Sequence, residues 1–114
     1  MAKDNILLIT TDQQRFDTLN AWGNQSIFTP HLNYMAAMGI SYKNCYASCP
    51  ICVPSRTTIM TGRQGYESGV VSNATHATFM RACTEARSTL PAVLHDAGYQ
   101  PCAKGKMHFD PAPA

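Results

Sequence analysis

A cysteine and an arginine that could act together lie near the middle of the chain. Cys52 is followed by Pro54, Ser55 and Arg56, and no further proline occurs in the next seven positions. Proline suits the first turn of a helix, because the N–H that it lacks would be unpaired there anyway. We expect Cys52 to lie just before such a helix, where the positive end of the helix dipole and Arg56 would face whatever Cys52 carries. The pattern predicts an anion site beside a reactive side chain.

Two other polar groups follow short stretches that have the pattern of strands. Asp12 comes directly after residues 5–10, a continuous apolar run typical of a parallel strand buried on both faces, and ligands of open α/β sheets bind at that edge. Lys106 and His108 follow residues 99–103, and their spacing of two would point both side chains toward one oxyanion on an extended segment. Taken alone, Asp12 could equally be a turn residue, and Lys106 and His108 a surface pair.

The elements that would position these groups alternate between strands and helices. Strands are predicted at residues 5–10, 40–47 and 99–103, and helices at 30–38 and from 88–91 to 97–98. Residues 65–84 are predicted to be loop with short irregular pieces. Strand and helix repeats of this kind form right-handed crossovers, so the three strand ends would converge on one edge of a sheet. The sequence therefore predicts an α/β fold.

The residues around Cys52 resemble the signature of the sulfatase family, C-x-P-S-R followed by x-x-x-x-T-G-R. All seven fixed positions of that signature are present, namely Cys52, Pro54, Ser55, Arg56, Thr61, Gly62 and Arg63. The segment G-K-M-H-F at 105–109 is similar to the family's G-K-W-H-L element, with Met107 in place of Trp. The resemblance implies an alkaline-phosphatase-like three-layer fold with a mostly parallel sheet. Residues 1–114 would be the N-terminal segment of its catalytic domain.

The resemblance also implies the chemistry of the site. Cys52 would be oxidised by a formylglycine-generating maturation enzyme, and the resulting aldehyde hydrate would attack a sulfate ester of a small molecule or a sugar. Arg56, Lys106 and His108 would be the other catalytic groups. Asp12 matches the first metal-binding acid of the family, whereas Gln13 stands where many members have a second Asp. With the modified Cys52 they would hold a divalent cation, Ca²⁺ in the first place and Mg²⁺ or Mn²⁺ as alternatives.

Four further residues of the signature would support the site rather than react. They are Pro54, Ser55, Thr61 and Arg63, the last of which would brace the helix and the loop through its forked guanidinium. The family completes its metal site with residues from much later in its domain. We therefore expect these 114 residues by themselves to show little or no sulfatase turnover.

Other functions remain open at this point. The same anion site would fit a phosphate or phosphonate ester, and the chain could also be a non-catalytic truncated product. Cys45, Cys49 and Cys52 have the C-x-x-x-C-x-x-C spacing by which radical-SAM enzymes hold a [4Fe–4S] cluster, and the same thiolates could bind zinc. Against a cluster, the chain has too few predicted strands for the usual barrel, and the cluster does not explain the proline, serine and arginine that follow.

Composition limits the remaining classes. The chain has 114 residues, a net charge of +2, 45% hydrophobic and 14% charged residues, which is typical of one soluble globular unit. It has no basic run that would indicate nucleic acid as a partner. The apolar run at 6–9 is too short for a signal peptide or a membrane span, so we expect a cytoplasmic protein with no membrane partner. Five cysteines without an export signal indicate reduced thiols, and the glycosylation pattern at Asn73 carries no weight without secretion.

Overall fold

The computed structural model describes residues 3–73 and 89–107. The chain divides into two units, Met1–Cys45 and Tyr46–Ala114, and each is described by itself. The described residues form four α-helices and one short 3₁₀ turn, Asn20–Trp22. None of these helices has the length and hydropathy that crossing a bilayer requires.

The first unit contains helix α1, Pro30–Met38, whose bounds match the sequence prediction. Thr29 occupies the N-cap position and Pro30 the first turn, and the N–H of Gly39 donates to Met35 O at 3.0 Å where the helix ends. Thr29 does not cap its own helix, because its hydroxyl oxygen instead accepts the N–H of Asn20 at 3.1 Å and lies 2.9 Å from Asn33 Oδ1. The cap residue therefore ties the preceding loop to α1.

Side-chain amides complete the tie between this loop and α1. Asn33 Oδ1 accepts the N–H of Ala21 at 2.9 Å, and Asn33 Nδ2 donates to Asn20 Oδ1 at 3.1 Å. Asn20 Nδ2 donates in turn to Asn24 O at 3.0 Å. Because these bonds join positions up to 13 residues apart, they hold the loop in one conformation on the first turn of α1.

An aromatic pair and an ion pair lie in the same loop. The rings of Phe16 and Trp22 are stacked with centroids 4.9 Å apart, and Trp22 Nε1 donates to Ser41 Oγ at 3.1 Å. The guanidinium of Arg15 hydrogen-bonds both carboxyl oxygens of Asp17. That contact lowers the pKa of Asp17 below its ordinary value of 3.8, so the pair contributes stability at neutral pH that is lost as the carboxyl protonates in acid. Both side chains are solvent-exposed, which keeps the contribution small.

The second unit is organised on helix α2, Cys52–Thr61. The short helix α3, Gly65–Ser68, and helix α4, Leu90–Asp96, both pack against α2. The core contains Val53, Pro54, Thr57 and Val70, all of them fully buried. Since three of these four belong to α2, its first turns form the centre of this unit.

Local sequence signals explain where these helices begin. Thr89 is the N-cap of α4 and Pro91 lies in its first turn, as the sequence predicted. Glu67 caps α3 through its carboxylate, which accepts the N–H of Gln64 at 2.8 Å. The segment predicted as loop with short irregular pieces therefore begins with a regular helical turn, and the part of that prediction on residues 74–84 lies outside the described residues.

The residues that the structure describes do not contain the predicted sheet. Across residues 3–73 and 89–107 the structure contains no β-strand, so the strands predicted at 5–10, 40–47 and 99–103 are corrected to irregular chain. Ile6, Leu7, Leu8 and Ile9 are 58–83% exposed instead of buried on two faces. A strand is stable only when its backbone pairs with a neighbour, and none of the described segments offers such a neighbour to another.

Candidate active site

The predicted nucleophile lies at the start of α2. Cys52 is the first residue of the helix and Ile51 its N-cap, so Cys52 is inside the helix and not just before it as expected. The helix extends this far back because the N–H of Ser55 donates to Ile51 O at 3.0 Å, which closes the first turn around Pro54. Pro54 lies within that turn, as predicted, and its missing N–H leaves no intrahelical bond unmade.

Burial divides the first two turns of α2 into two faces. Val53, Pro54 and Thr57 are buried, whereas Cys52 and Arg56 are half-buried. Residues four apart on a helix are neighbours on its surface, so Cys52 and Arg56 share the partly accessible face. Ser55 is half-buried beside them. The fold thus presents the thiol and the guanidinium together while the intervening residues anchor the helix.

Arg56 reaches the second motif. Its Nη1 donates to the backbone oxygen of Lys106 at 2.5 Å, across 50 positions of sequence. The chain turns at Gly105, whose φ of 92° lies in the left-handed region that favours glycine, and Met107 beyond it is half-buried. The side chain of Lys106 is exposed. The structure therefore joins Arg56 of α2 to the backbone of Lys106, while His108 lies outside the described residues.

The threonine, glycine and arginine of the signature form the end of α2. Gly62, with φ of 68°, reverses the chain, and its N–H donates to Thr58 O at 2.8 Å. Thr61 Oγ1 donates to Thr57 O at 2.8 Å and accepts the N–H of Arg63 at 3.2 Å. Arg63 Nη2 then donates to Glu67 O at 2.7 Å. These contacts hold α3 at the end of α2, at a distance of three helical turns from Cys52.

The predicted metal ligands belong to the first unit. Asp12 and Gln13 are both exposed, and Gln13 has φ of 54°, a left-handed conformation that costs a non-glycine residue free energy. Their carboxylate and amide oxygens suit a hard cation such as Ca²⁺ or Mg²⁺, which fits the donor set that the sequence indicates. Within the part of the chain that the structure describes, no three His, Cys, Asp or Glu side chains gather as a complete metal site.

The described cysteines are not gathered into the alternative thiolate site. Cys45 and Cys102 are exposed, Cys49 and Cys52 are half-buried, and none of these four is in a disulfide. The spacing of Cys45, Cys49 and Cys52 therefore does not translate into a cluster or zinc site among the residues described.

Asn73 is a residue of this region that sequence analysis missed. Its Oδ1 accepts the N–H of Val53 at 3.0 Å, directly behind Cys52. A signal was present, because Ile51 cannot accept a hydrogen bond through its side chain, so a helix that begins there needs an acceptor from elsewhere. The sequence does not show which residue supplies this acceptor, because Asn73 lies 20 positions away from Val53.

Comparison with known proteins gives a consistent result. The family model named Sulfatase matches residues 4–113. An arylsulfatase from Clostridium perfringens is 38% identical over 96% of this chain and 22% of its own length. An N-acetylglucosamine-6-O-sulfatase from Bacteroides thetaiotaomicron is 35% identical over 94% of this chain and 18% of its length. A human N-acetylgalactosamine-6-sulfatase is 33% identical over 96% and 22%. The chain spans about a fifth of the length of these relatives, and no solved structure matches it.

Proposed function

Because the chain belongs to the sulfatase family, we propose that it carries the nucleophile of a sulfuric ester hydrolase and that Cys52 is the residue converted to formylglycine. One observation supports this most directly: Cys52 and Arg56 share the accessible face of the first turn of α2, and Arg56 is bonded to the segment of Lys106. Two motifs that resemble those of the family are thereby joined through residues 50 positions apart.

Each protein group at this place has a definite task. Formylglycine, once hydrated, supplies a hydroxyl nucleophile. Arg56 and the N-terminal end of α2 provide positive electrostatic potential beside that residue, which stabilises negative charge on it and on the ester oxygens. Lys106 carries an ammonium group on a flexible stem that binds a sulfate oxygen. His108 would act next to Lys106, as a further group on the same sulfate.

Asp12 and Gln13 are the residues of this chain that would hold the divalent cation. Such a cation polarises the sulfate ester when it is bound. Ca²⁺ is our first choice because it accepts a mixture of carboxylate and amide oxygens, with Mg²⁺ and Mn²⁺ as alternatives. Two protein oxygens are few beside the six to eight that Ca²⁺ takes, so further ligands from the rest of a longer protein belong to this proposal.

The proposal includes the α/β fold of the family. Residues 5–10, 40–47 and 99–103 would be parallel strands of an alkaline-phosphatase-like sheet completed by additional chain, as the greater length of the relatives allows. The substrate would be a sulfate ester of a small molecule or of a sugar. The names of two of the three relatives, which refer to N-acetylglucosamine and N-acetylgalactosamine, support a sulfated sugar.

Maturation of Cys52 is the experiment that tests the proposal. The chain is co-expressed with a formylglycine-generating enzyme and digested with trypsin, and the peptide of residues 44–56 is analysed by mass spectrometry. We expect a loss of mass equal to the replacement of one thiol by an aldehyde, localised to Cys52 by fragmentation. Cys45 and Cys49 are in the same peptide and serve as internal controls. An intact thiol at Cys52, with the maturation enzyme active on a known sulfatase peptide, would contradict the proposal.

Turnover is the second measurement. We expect the 114 residues by themselves to hydrolyse an aryl sulfate weakly or not at all, because Asp12 and Gln13 alone bind the cation loosely. The matched aryl phosphate is assayed alongside, since the same site could select either anion. Robust hydrolysis of the sulfate by the matured chain would show that the described ligands suffice, and a preference for the phosphate would reassign the substrate class.

A further inference from the structure

Helix α2 begins without a cap of its own. The first N–H groups of an α-helix have no partner inside the helix, and a Ser, Thr, Asp or Asn at the N-cap usually accepts one of them. Here the N-cap is Ile51, which makes no side-chain cap bond. Pro54 has no N–H and Ser55 already donates to Ile51 O, so the N–H of Val53 needs an acceptor from another part of the chain.

Asn73 supplies that acceptor from 20 positions away. Its Oδ1 lies 3.0 Å from the nitrogen of Val53. The intervening chain returns to the start of α2 through tight turns: Gly62 and Gly69 both have positive φ, and a Cβ on Gly65 would lie only 3.1 Å from Val70 O. Val70 is fully buried in the same core as Val53. The burial of Val70 therefore returns the chain to the start of α2 three positions before Asn73, which is itself exposed and reaches Val53 through its side chain.

We propose that Asn73 is a positioning residue for Cys52, acting through the backbone of Val53. The N–H that it binds belongs to the peptide bond that directly follows Cys52, so the bond fixes the first turn of α2 and with it the direction of the Cys52 side chain. The link to catalysis rests on the proposed function, in which Cys52 becomes the nucleophile. The positioning itself concerns the thiol as it stands in the unmodified chain, and it is tested there.

The test uses the full 114-residue chain expressed without a maturation enzyme. Two quantities are measured: the rate at which iodoacetamide alkylates Cys52 relative to the exposed Cys102, and the hydrogen-exchange rate of the Val53 amide. Asn73→Ala removes the acceptor. Asn44→Ala is the matched control, since it makes the same change at an exposed asparagine in another part of the chain.

Two variants restore the acceptor in different ways. Asn73→Asp keeps an oxygen at the same distance from the backbone. Ile51→Ser, combined with Asn73→Ala, places a hydroxyl at the N-cap itself, where the N–H of Val53 is within its reach. If Asn73 only contributed to general stability, a hydroxyl introduced at position 51 would not restore the parent behaviour. Rescue by Ile51→Ser therefore separates positioning from a merely structural role.

In Asn73→Ala we expect the exchange of the Val53 amide and the relative alkylation of Cys52 each to rise about fivefold, as for the loss of an ordinary N-cap. Both rates should return to within about twofold of the parent value in the two acceptor-restoring variants, and stay unchanged in Asn44→Ala. The amides of the last turn of α2 report on the fold. If Asn73→Ala unfolds the chain, the two acceptor-restoring variants decide the question. Parent-like rates of Val53 amide exchange and Cys52 alkylation in both variants support the proposal.

An unchanged Cys52 rate in a folded Asn73→Ala variant would overturn the proposal, and so would a raised rate that neither restored acceptor lowers. Formylglycine formation at Cys52 is scored separately by mass. Failure of maturation with normal positioning would remove the proposed function alone, whereas normal maturation with unaltered alkylation would remove the positioning role alone.

Discussion

The guanidinium of Arg56 joins two motifs that the sequence keeps far apart. It lies on the same face of α2 as Cys52 and donates to the backbone oxygen of Lys106. A guanidinium has several donors in a fixed planar arrangement, so it can hold a carbonyl with one nitrogen and leave another for a bound anion. A lysine in place of Arg56 would have a single ammonium group, which could not bind the carbonyl and an anion in the same fixed arrangement.

We expect Arg56→Ala to lower the free energy of unfolding of the chain by about 1 kcal/mol, since the lost bond is charge-assisted but half-exposed. Urea unfolding followed by circular dichroism measures this change. Arg15→Ala is the control, because it removes an exposed guanidinium whose hydrogen bonds in the described contacts go to its near neighbour Asp17. If Arg56→Ala and Arg15→Ala lower the free energy of unfolding equally, the bond from Arg56 to Lys106 contributes no more stability than an exposed surface contact.

Gln13 has a left-handed backbone conformation, and it stands at a position where many sulfatases have Asp. Its φ of 54° is better tolerated by Asp or Asn than by Gln, and Asp is also the residue that many sulfatases carry at this position. We expect Gln13→Asp to tighten binding of Ca²⁺ by about tenfold, because the affinity of such sites rises with the number of carboxylate ligands. Isothermal titration calorimetry on the chain measures the change.

Gln14→Asp is the matched control for that substitution. It adds the same charge one position later, at a residue that is equally exposed but is not a predicted ligand. If Gln14→Asp tightens Ca²⁺ binding as much as Gln13→Asp, the gain comes from net charge, and Gln13 is not at the cation site.

Among the helices, the end of α2 shows how a short motif acts through backbone geometry. Gly62 has φ of 68°, and a Cβ added there would meet nothing within 4 Å. The cost of a side chain at this position is thus backbone strain and not a clash. We expect Gly62→Ala to reduce stability by about 1 kcal/mol and Gly62→Asn by less, because Asn adopts the left-handed conformation more readily.

Thermal unfolding by circular dichroism compares the two variants with the parent chain. Equal stability of the alanine and parent chains would indicate that the turn at Gly62 relaxes to another conformation. That result would also release Arg63, whose bond to Glu67 O depends on this turn.

The helices could be predicted well because their signals are local. Thr29, Pro30 and Gly39 mark the two ends of α1 within ten positions, and Thr89 and Pro91 do the same for the start of α4. The cap of α2 could not be predicted in this way, since Asn73 is remote in sequence. An apolar run such as residues 6–9 forms a buried strand only if other strands are present to pair with its backbone. The sequence of the run does not show whether such partners exist.

For the site, the family was predictable from the motifs, whereas their assembly was predictable only in part. The sequence predicted that Cys52 would lie just before the helix that carries Arg56, whereas in the structure both residues belong to α2. Nothing in the sequence indicated that Arg56 would bind the backbone of Lys106. The choice of Ca²⁺, the formylglycine and the cytoplasmic location stay predictions.

Among the residues that the structure describes, many large apolar side chains are exposed. The apolar side chains at residues 6–9 are more than half exposed, and so are Met35 at 60% and Met38 at 71% on α1. Surfaces of this kind are typically covered by other chain or by a partner. The small core around Val53 and Val70 leaves most of the hydrophobic surface outside it.

We expect the isolated 114 residues to self-associate at micromolar concentrations and Leu7→Lys to shift the population toward monomer, because a charge within the apolar run opposes its burial between copies. Size-exclusion chromatography with light scattering measures the distribution. Tyr66→Lys is the matched control, since Tyr66 and Leu7 are both 83% exposed but Tyr66 does not lie in that run. Equal shifts in the two variants would assign the effect to net charge.

The contacts of Trp22 have a practical consequence for following the unfolding of this chain. It is the single tryptophan of the sequence, its ring is stacked on Phe16, and its indole N–H is bonded to Ser41. Its emission spectrum therefore reports when the loop before α1 comes apart, while the alkylation of Cys52 reports on α2. Recording both signals along one urea titration shows directly whether the two units melt in a single cooperative step or one after the other.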